Sequence, residues 1–303
     1  MIEKKVSIIM NCYNGENFLN ESLSSVINQN YKNWELIFFD NCSTDKSKYI
    51  FKSFKDKRIK YFRSKKKINL GLARKLALSK AKGYYIAFLD VDDVWKKNKL
   101  NIQIKYLKKK EVGFSITNSI FFNDKKERYL YNLNRRFKKN FFYNLIKDYF
   151  ISFDTVIIKK KFLEKLDHSI DKRFNIIHDM DLLIRLSFIC EMSYVPLALS
   201  KWRMSEESDS YNKFKQIIFE KKIFIKKISK RLKKNKVFLS SKIKFIDIVR
   251  RQEILFFLSQ KKYFKIFKII PNLKINYKNL ILILVIFLPF KRYIYNNILN
   301  LKY

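Results

Sequence analysis

Gly83-Tyr-Tyr-Ile-Ala-Phe-Leu-Asp90-Val-Asp92-Asp93 is a short apolar run that ends in three carboxylates within four residues. Its Tyr84–Asp90 part has the composition of a strand buried on both faces. Two more runs of this kind stand upstream at Val6–Asn11 and Trp34–Asp40, with a shorter one at Ile59–Phe62. Between the first two, Phe18, Leu19, Leu23, Val26 and Ile27 recur at helical spacing. A polar helix is expected to follow Trp34–Asp40 as far as about Phe54, another over Leu70–Lys82 stopped by Gly83, and a third around Lys99–Lys109. Strands that alternate with helices predict right-handed crossovers and a mostly parallel sheet flanked by helices, an α/β, Rossmann-like class.

Downstream the pattern changes twice. From about 113 to 205 it is mixed: Gly113–Phe122 and Thr155–Ile158 read as strands, Met180–Ile189 as a helix, Met192–Val195 and Leu197–Met204 as extended. After 211 apolar residues alternate with lysines at helical spacing, and a break near Gln260-Lys-Lys suggests a helical hairpin. The expected domains are 1–210, divided at 112/113, and a basic helical region over 211–303.

Charge narrows the partners. The chain has 303 residues with 66 Lys/Arg against 27 Asp/Glu, a formal +39. Residues 211–303 alone hold 24 basic and 3 acidic side chains, over half of that excess. A·T-biased coding explains part of it, since Lys, Asn, Ile, Phe and Tyr are all abundant. A field of this size favours polyanions, either nucleic acid or an anionic lipid surface. No reading helix or base-stacking motif accompanies the charge, so nucleic acid is not expected. Three widely spaced cysteines argue against a disulfide framework or a zinc site and suit a reducing compartment. No run reaches the roughly 18–20 apolar residues of a spanning helix. The first residues lead straight into a strand, unlike a signal peptide. A cytosolic protein is expected.

In open parallel sheets ligands bind beyond the carboxyl ends of the strands. Here those ends carry Asn11, Cys12, Tyr13 and Asn14, then Asp40-Asn-Cys-Ser-Thr-Asp45, then Asp90, Asp92 and Asp93. Asn and Asp also make good turns and caps, which accounts equally well for 41–45. It accounts poorly for the acidic triplet, whose charges repel unless a cation lies between them. Hard oxygen ligands suit Mg²⁺ or Mn²⁺, ions that also hold a diphosphate.

Val6–Asn14 with Ser24–Gln29, Glu35–Asp45 and Gly83–Trp95, in this order and spacing, resemble the family 2 glycosyltransferases of GT-A fold. Those are inverting enzymes that use nucleotide sugars. The resemblance implies that Asn11, Tyr13 and Asn14 line the base and ribose pocket and that Asp40 accepts from a uracil or thymine imide. It implies that Asp90 and Asp92 stand by the ribose and metal, with Asp92 and Asp93 as metal ligands. Asn69, Gly71 and Arg74, spaced N-x-G-x-x-R here, sit where the resemblance places the family's N-x-G-x-x-x-R-N segment, with Lys75 where Asn is usual; Arg74 reaches the donor or forms a surface ion pair. His178-Asp179-Met180-Asp181-Leu182 resembles the start of the family's E-D-x-D-L helix. Asp179 would be the catalytic base or a helix N-cap, and Asp181 with Arg185 an i,i+4 ion pair. Trp202-Arg203 opens a tract in which Ser205 replaces the family's histidine. With His178 these two residues would lie on the acceptor or diphosphate side.

Function follows from the resemblance: transfer of a sugar from a UDP- or dTDP-linked donor to a glycan or lipid-linked acceptor, with inversion. Bacterial surface polysaccharide synthesis on the inner face of the cell membrane is the expected setting. The Leu280–Phe290 run, flanked by cations, is expected in an anionic lipid interface or in a core or dimer contact. Two alternatives stand beside this: a sugar-phosphate nucleotidyltransferase, although residues 11–20 lack its Gly-rich, Arg-containing loop, and a basic nucleic-acid-binding protein.

Overall fold

The computed structural model describes residues 3–131, 141–147, 149–204, 213–232, 236–273 and 279–283. Ser205 and residues 284–290 of the apolar run lie outside them. Two compact units emerge, one of Met1–Leu145 with Tyr149–Ser208, the other of Ile146–Asp148 with Asp209–Tyr303.

The first unit opens with β1 (Val6–Cys12), α1 (Leu19–Ile27), β2 (Trp34–Asp40), α2 (Ser47–Ser53), β3 (Ile59–Arg63), α3 (Leu70–Leu78) and β4 (Tyr85–Phe88). It continues through β5 (Val94–Trp95), α4 (Lys99–Lys105), β6 (Val112–Phe122), β7 (Glu127–Tyr129), α5 (Phe141–Lys147), β8 (Ile157–Lys159), α6 (Lys160–Leu163), α7 (His178–Ser187) and β9 (Glu191–Arg203). One sheet runs β3-β2-β1-β4-β8-β6-β9-β5, with β7 on β6. Its β3-β2-β1-β4 half is wholly parallel. Beyond β4 the sheet is mixed: β8 is antiparallel to both β4 and β6, whereas β6 and β9 run parallel.

Every residue of β1 and β2 is buried, as their largely apolar composition requires of central strands covered on both faces. Beside them Phe38 packs on Phe51 of α2 and Tyr61 of β3, at 4.6 and 5.8 Å between ring centroids. Within these strands Ser7 and Glu35 are polar and satisfy one another. The Ser7 hydroxyl donates to Glu35 Oε1 at 2.7 Å, and Lys60 pairs with Glu35 Oε2 at 2.6 Å.

Gly83 does not stop α3. That helix ends at Leu78, and no glycine has a positive φ. A Cβ at Gly83 would sit 2.5 Å from the Ser7 nitrogen and 2.8 Å from the Lys5 oxygen, so the glycine lets the chain enter β4 against β1.

In the second unit α8 (Phe214–Arg231) and α9 (Lys236–Ser259) are followed by α10 (Tyr263–Phe267). Lys221 and Lys222 of α8 bond Gln252 and Glu253 of α9. Among the described residues no helix is long and apolar enough to cross a membrane.

Candidate active site

Parallel pairing sets the strand ends level. Cys12 lies opposite Asp40, and Ile9 lies opposite Phe88, two residues before Asp90. Past these ends the loops after β1 and β2 exchange hydrogen bonds. The N–H groups of Asn14, Gly15 and Glu16 donate to Ser43 Oγ (3.0 Å), Ser47 Oγ (2.9 Å) and Asp45 Oδ2 (2.9 Å). In return the N–H groups of Thr44 and Lys46 donate to Asn14 Oδ1 (2.9 Å) and Glu16 Oε2 (2.8 Å). Both loops pass through the left-handed region, at Asn14 (φ 52°) and Cys42 (φ 66°). Tyr13 stands exposed at the rim with the Lys67 ammonium 3.5 Å from its ring centroid. Asn11 is buried, and neither polar atom of its amide has a partner among the described residues. Such an orphan at a strand end calls for an explanation, and a ligand is one.

Asp40 is fully buried. One oxygen accepts from the Ser43 N–H at 2.7 Å, the other from the Tyr61 hydroxyl at 2.5 Å, and Arg63 Nε lies 3.8 Å away. Burial, and then the Asp40 charge, push the Tyr61 phenol well above its usual range.

The three carboxylates after β4 are not equivalent. The Asp90 side chain is 42% exposed and pairs with Arg74. Asp92 is half-buried, and its carboxyl is pushed up to about 6, by burial first and by the Asp90 charge second. Asp93 is 1% exposed, and its Oδ1 accepts the Arg203 N–H at 3.0 Å. Burial, with the charges of Asp92, Asp154 and Asp90 behind it, raises the Asp93 carboxyl well above the ordinary range. Gly15 brings the β1 loop onto this turn: a Cβ there would lie 2.9 Å from Val91 Cγ2. Arg203 holds the turn from the other side. Its Nε donates to the Asp92 carbonyl at 3.1 Å, and its guanidinium pairs with Glu21. Trp202 packs on Phe121, ring centroids 4.7 Å apart.

Asn69 caps α3, accepting from the Leu72 N–H at 2.8 Å, and donates to the Lys172 carbonyl at 3.1 Å. The Leu70 N–H donates to Asn175 Oδ1 at 2.7 Å. A Cβ at Gly71 would fall 2.1 Å from the Phe174 carbonyl oxygen, so only glycine allows this approach. Arg74, one turn on, is buried and bonds Asp90 with one terminal nitrogen and His178 Nε2 with the other. His178 Nδ1 faces the Asn175 carbonyl at 3.1 Å. Burial, and then Arg74, hold the imidazole well below its ordinary 6.5, so it is neutral: Nδ1–H donates and Nε2 accepts. Next to it Asp179 stands in the first turn of α7, whose N-cap position is Ile177. Its Oδ2 accepts the Tyr149 hydroxyl at 2.9 Å, and burial raises its carboxyl.

Thus Asp90, Arg74 and His178 form one contact chain leading from the strand ends to Asp179. Two participants left no pattern in the sequence. Tyr149 is one. Asp154, buried beneath Asp93, is the other; Ser119 Oγ donates to it at 3.3 Å, and its carbonyl accepts from Trp95 Nε1 at 2.9 Å. A lone acid within Tyr149–Ile158, an otherwise acid-free apolar stretch, was the available signal. Elsewhere His168, Asp171 and Asp181 bring ligand atoms within 4.8 Å of one another. Arg173 and Arg185 already pair with the two carboxylates, at 2.6 and 2.8 Å, which makes this an ion-pair cluster.

The Glycosyl transferase family 2 model matches residues 7–167. The chain belongs to that family. It is therefore a glycosyltransferase, and the nucleotidyltransferase alternative falls away. This family 2 chain is 33% identical over 216 residues to the Escherichia coli UDP-Glc:alpha-D-GlcNAc-diphosphoundecaprenol beta-1,3-glucosyltransferase WfgD, covering 70% of itself and 82% of that relative. Its fold is similar to S. aureus TarS 1-349 in complex with UDP-GlcNAc, with a TM-score of 0.58 at 16% identity, over 88% of this chain and 90% of that one. It is equally similar (TM-score 0.58, 16% identity) to the mannosyltransferase PcManGT from Pyrobaculum calidifontis in complex with GDP-Man and Mn2+, over 78% of this chain and 66% of that one. At this identity the two structures speak for a shared GT-A-type fold.

Proposed function

We propose that this glycosyltransferase moves a hexosyl group from a UDP- or dTDP-sugar to a lipid-linked or glycan acceptor, with inversion at the anomeric carbon. Its setting is bacterial surface polysaccharide synthesis at the inner face of the cell membrane. The observation that carries the reading is the contact chain Asp90–Arg74–His178, which ends beside Asp179. Donor-side and acceptor-side groups are thereby held in one frame, as in-line displacement requires.

On the donor side Tyr13 and Asp40 flank the base, with Asn14 and the orphaned Asn11 amide toward the ribose. Asp40 already accepts two protein donors, and a carboxylate has lone pairs for a third. Asp90 and Asp92 fit a divalent cation, Mn²⁺ or Mg²⁺: neither is fully buried, and the Asp90 charge, which after burial pushes Asp92 up, is a repulsion an ion would relieve. Such an ion would offset negative charge on the departing diphosphate. Asp93, expected as a direct ligand, is buried under the Arg203 N–H, and we assign it to shaping the turn.

On the acceptor side Asp179 takes the proton of the attacking hydroxyl. The acceptor oxygen forms its bond to the anomeric carbon as the carbon–diphosphate oxygen bond breaks. A carboxyl raised by burial is a stronger base than a solvated one. Tyr149 orients it through a hydrogen bond to Oδ2. Neutral His178 lets Arg74 keep its charge toward Asp90.

The test is transfer from a panel of UDP-, dTDP- and GDP-sugars, with Mn²⁺ or Mg²⁺, to a short-chain lipid diphosphate-GlcNAc, read as free nucleoside diphosphate and product mass. A uridine or thymidine donor should be consumed, and Asp179→Asn should turn it over at least about a hundredfold more slowly. Equal turnover by that variant would overturn the assignment of the base.

A further inference from the structure

The corner between α9 and α10 carries an exposed feature that sugar transfer does not use. Lys261 takes a left-handed conformation (φ 54°), and the chain turns sharply from α9 into α10. The short helix docks through Ile266, which is buried with Ile254, Leu255, Leu258 and Leu282. That docking leaves Phe264 74% exposed and Phe267 50% exposed. Three residues apart on a helix, the two rings share a side. Lys261, Lys262, Lys265 and Lys268 stand exposed around them, and the Lys268 ammonium lies 4.5 Å from the Phe264 ring centroid. Leu280 and Ile281 are also exposed, at 53% each, although the next residue, Leu282, enters the same apolar cluster.

Charge says what covers these rings. From Ile254 to the last residue the sequence holds nine Lys/Arg and no Asp/Glu. A second copy meeting this patch through a twofold axis would bring eight lysines together with no acid between them. A bilayer with acidic head groups offers negative charge for the ammonium groups and an apolar interface for the exposed rings.

We propose that the α9–α10 corner is an interfacial anchor that inserts Phe264 and Phe267 into bilayers rich in acidic phospholipid. It rests on the membrane setting proposed above and names the residues that make the contact. Phenylalanine depth and lysine charge act together, so binding needs acidic lipid and weakens as salt rises.

The experiment is co-sedimentation of the full chain with vesicles of phosphatidylcholine alone or mixed with phosphatidylglycerol. UDP release from UDP-glucose with Mn²⁺ is measured in parallel without vesicles. Wild type should sediment with the mixed vesicles only, and Phe264→Ser/Phe267→Ser should bind them about tenfold more weakly. The double variant should release UDP at the wild-type rate. Wild-type binding by the double variant, or no binding by the wild type, would overturn the anchor. So would a wild-type dimer that the double variant converts to a monomer. An absence of UDP release with lipid binding intact would count against the choice of donor and leave the anchor standing.

Discussion

Arg74 and His178 are 104 residues apart in sequence, yet one terminal nitrogen of the buried guanidinium donates to the Nε2 of the buried imidazole. The acceptor must be neutral for this bond to exist. Where family 2 sequences commonly carry an acid, this chain thus has an uncharged acceptor, and the Arg74 charge is directed to Asp90.

That neutrality sets a pH dependence. The folded-state value of His178 lies well below the ordinary 6.5, so its contribution to stability is full above pH 6.5 and is lost as pH falls below it. Over that window the loss is about 1.4 kcal/mol per pH unit. Asp92 and Asp179 have raised values and act in the opposite direction at lower pH, so wild type must be compared with His178→Gln. Urea midpoints at pH 8 and pH 5.5 should fall further for wild type than for the variant.

Asp179 should govern the acid limb of kcat/KM. Burial places that limb above the range of a solvated carboxylate. The Tyr149 hydroxyl donates to the ionised carboxylate and so lowers its pKa. Tyr149→Phe should therefore move the limb to higher pH, and Asp179→Asn should lower kcat by roughly 10²–10⁴. A pH–rate series on both variants checks the pair.

Asp92 and Asp93 are adjacent yet should respond differently. Asp92→Asn should weaken Mn²⁺ activation and reduce kcat about a hundredfold. Asp93→Asn keeps an acceptor for the Arg203 N–H and removes a carboxyl whose charged form burial disfavours, so stability should hold or rise and kcat should stay within about tenfold. Metal titrations of activity with melting curves separate the two. Equal loss of Mn²⁺ activation in both variants would return Asp93 to the ligand set.

Gly71→Ala should destabilise the enzyme by about 2 kcal/mol or more, because the new methyl meets a backbone carbonyl that cannot swing aside. Since Arg74 follows on the same helix, activity should fall too. Denaturant unfolding with steady-state rates on one preparation is the check.

Apolar continuity made much of this fold readable. Trp34–Asp40 emerges with the expected ends because Leu36-Ile-Phe-Phe39 runs unbroken up to the carboxylate, and Glu35, the one polar residue before it, is paired with Ser7 and Lys60. β9 was harder. The sequence suggests two pieces around Pro196, whereas the structure has a single strand, Glu191–Arg203, in which Thr117 pairs with Val195 and Asn118 with Ala198. Pro196 and Leu197 fall in that register shift, where a missing N–H costs no ladder bond. The end of α3 was misplaced because Gly83 reads as a stop signal in one dimension and serves as a close contact in three. In the site, loops that follow strands could be named from their residues. Tyr149 and Asp154 could not, because only tertiary packing brings them to Asp179 and Asp93.

The five reciprocal bonds between the Asn14–Glu16 and Ser43–Ser47 loops have a dynamic consequence. Amides at 14, 15, 16, 44 and 46 should show slow hydrogen exchange even in enzyme without nucleotide, because each is already committed to a partner. A donor then meets a rim that needs little ordering, and the entropic penalty of capture shifts to the sugar and the acceptor.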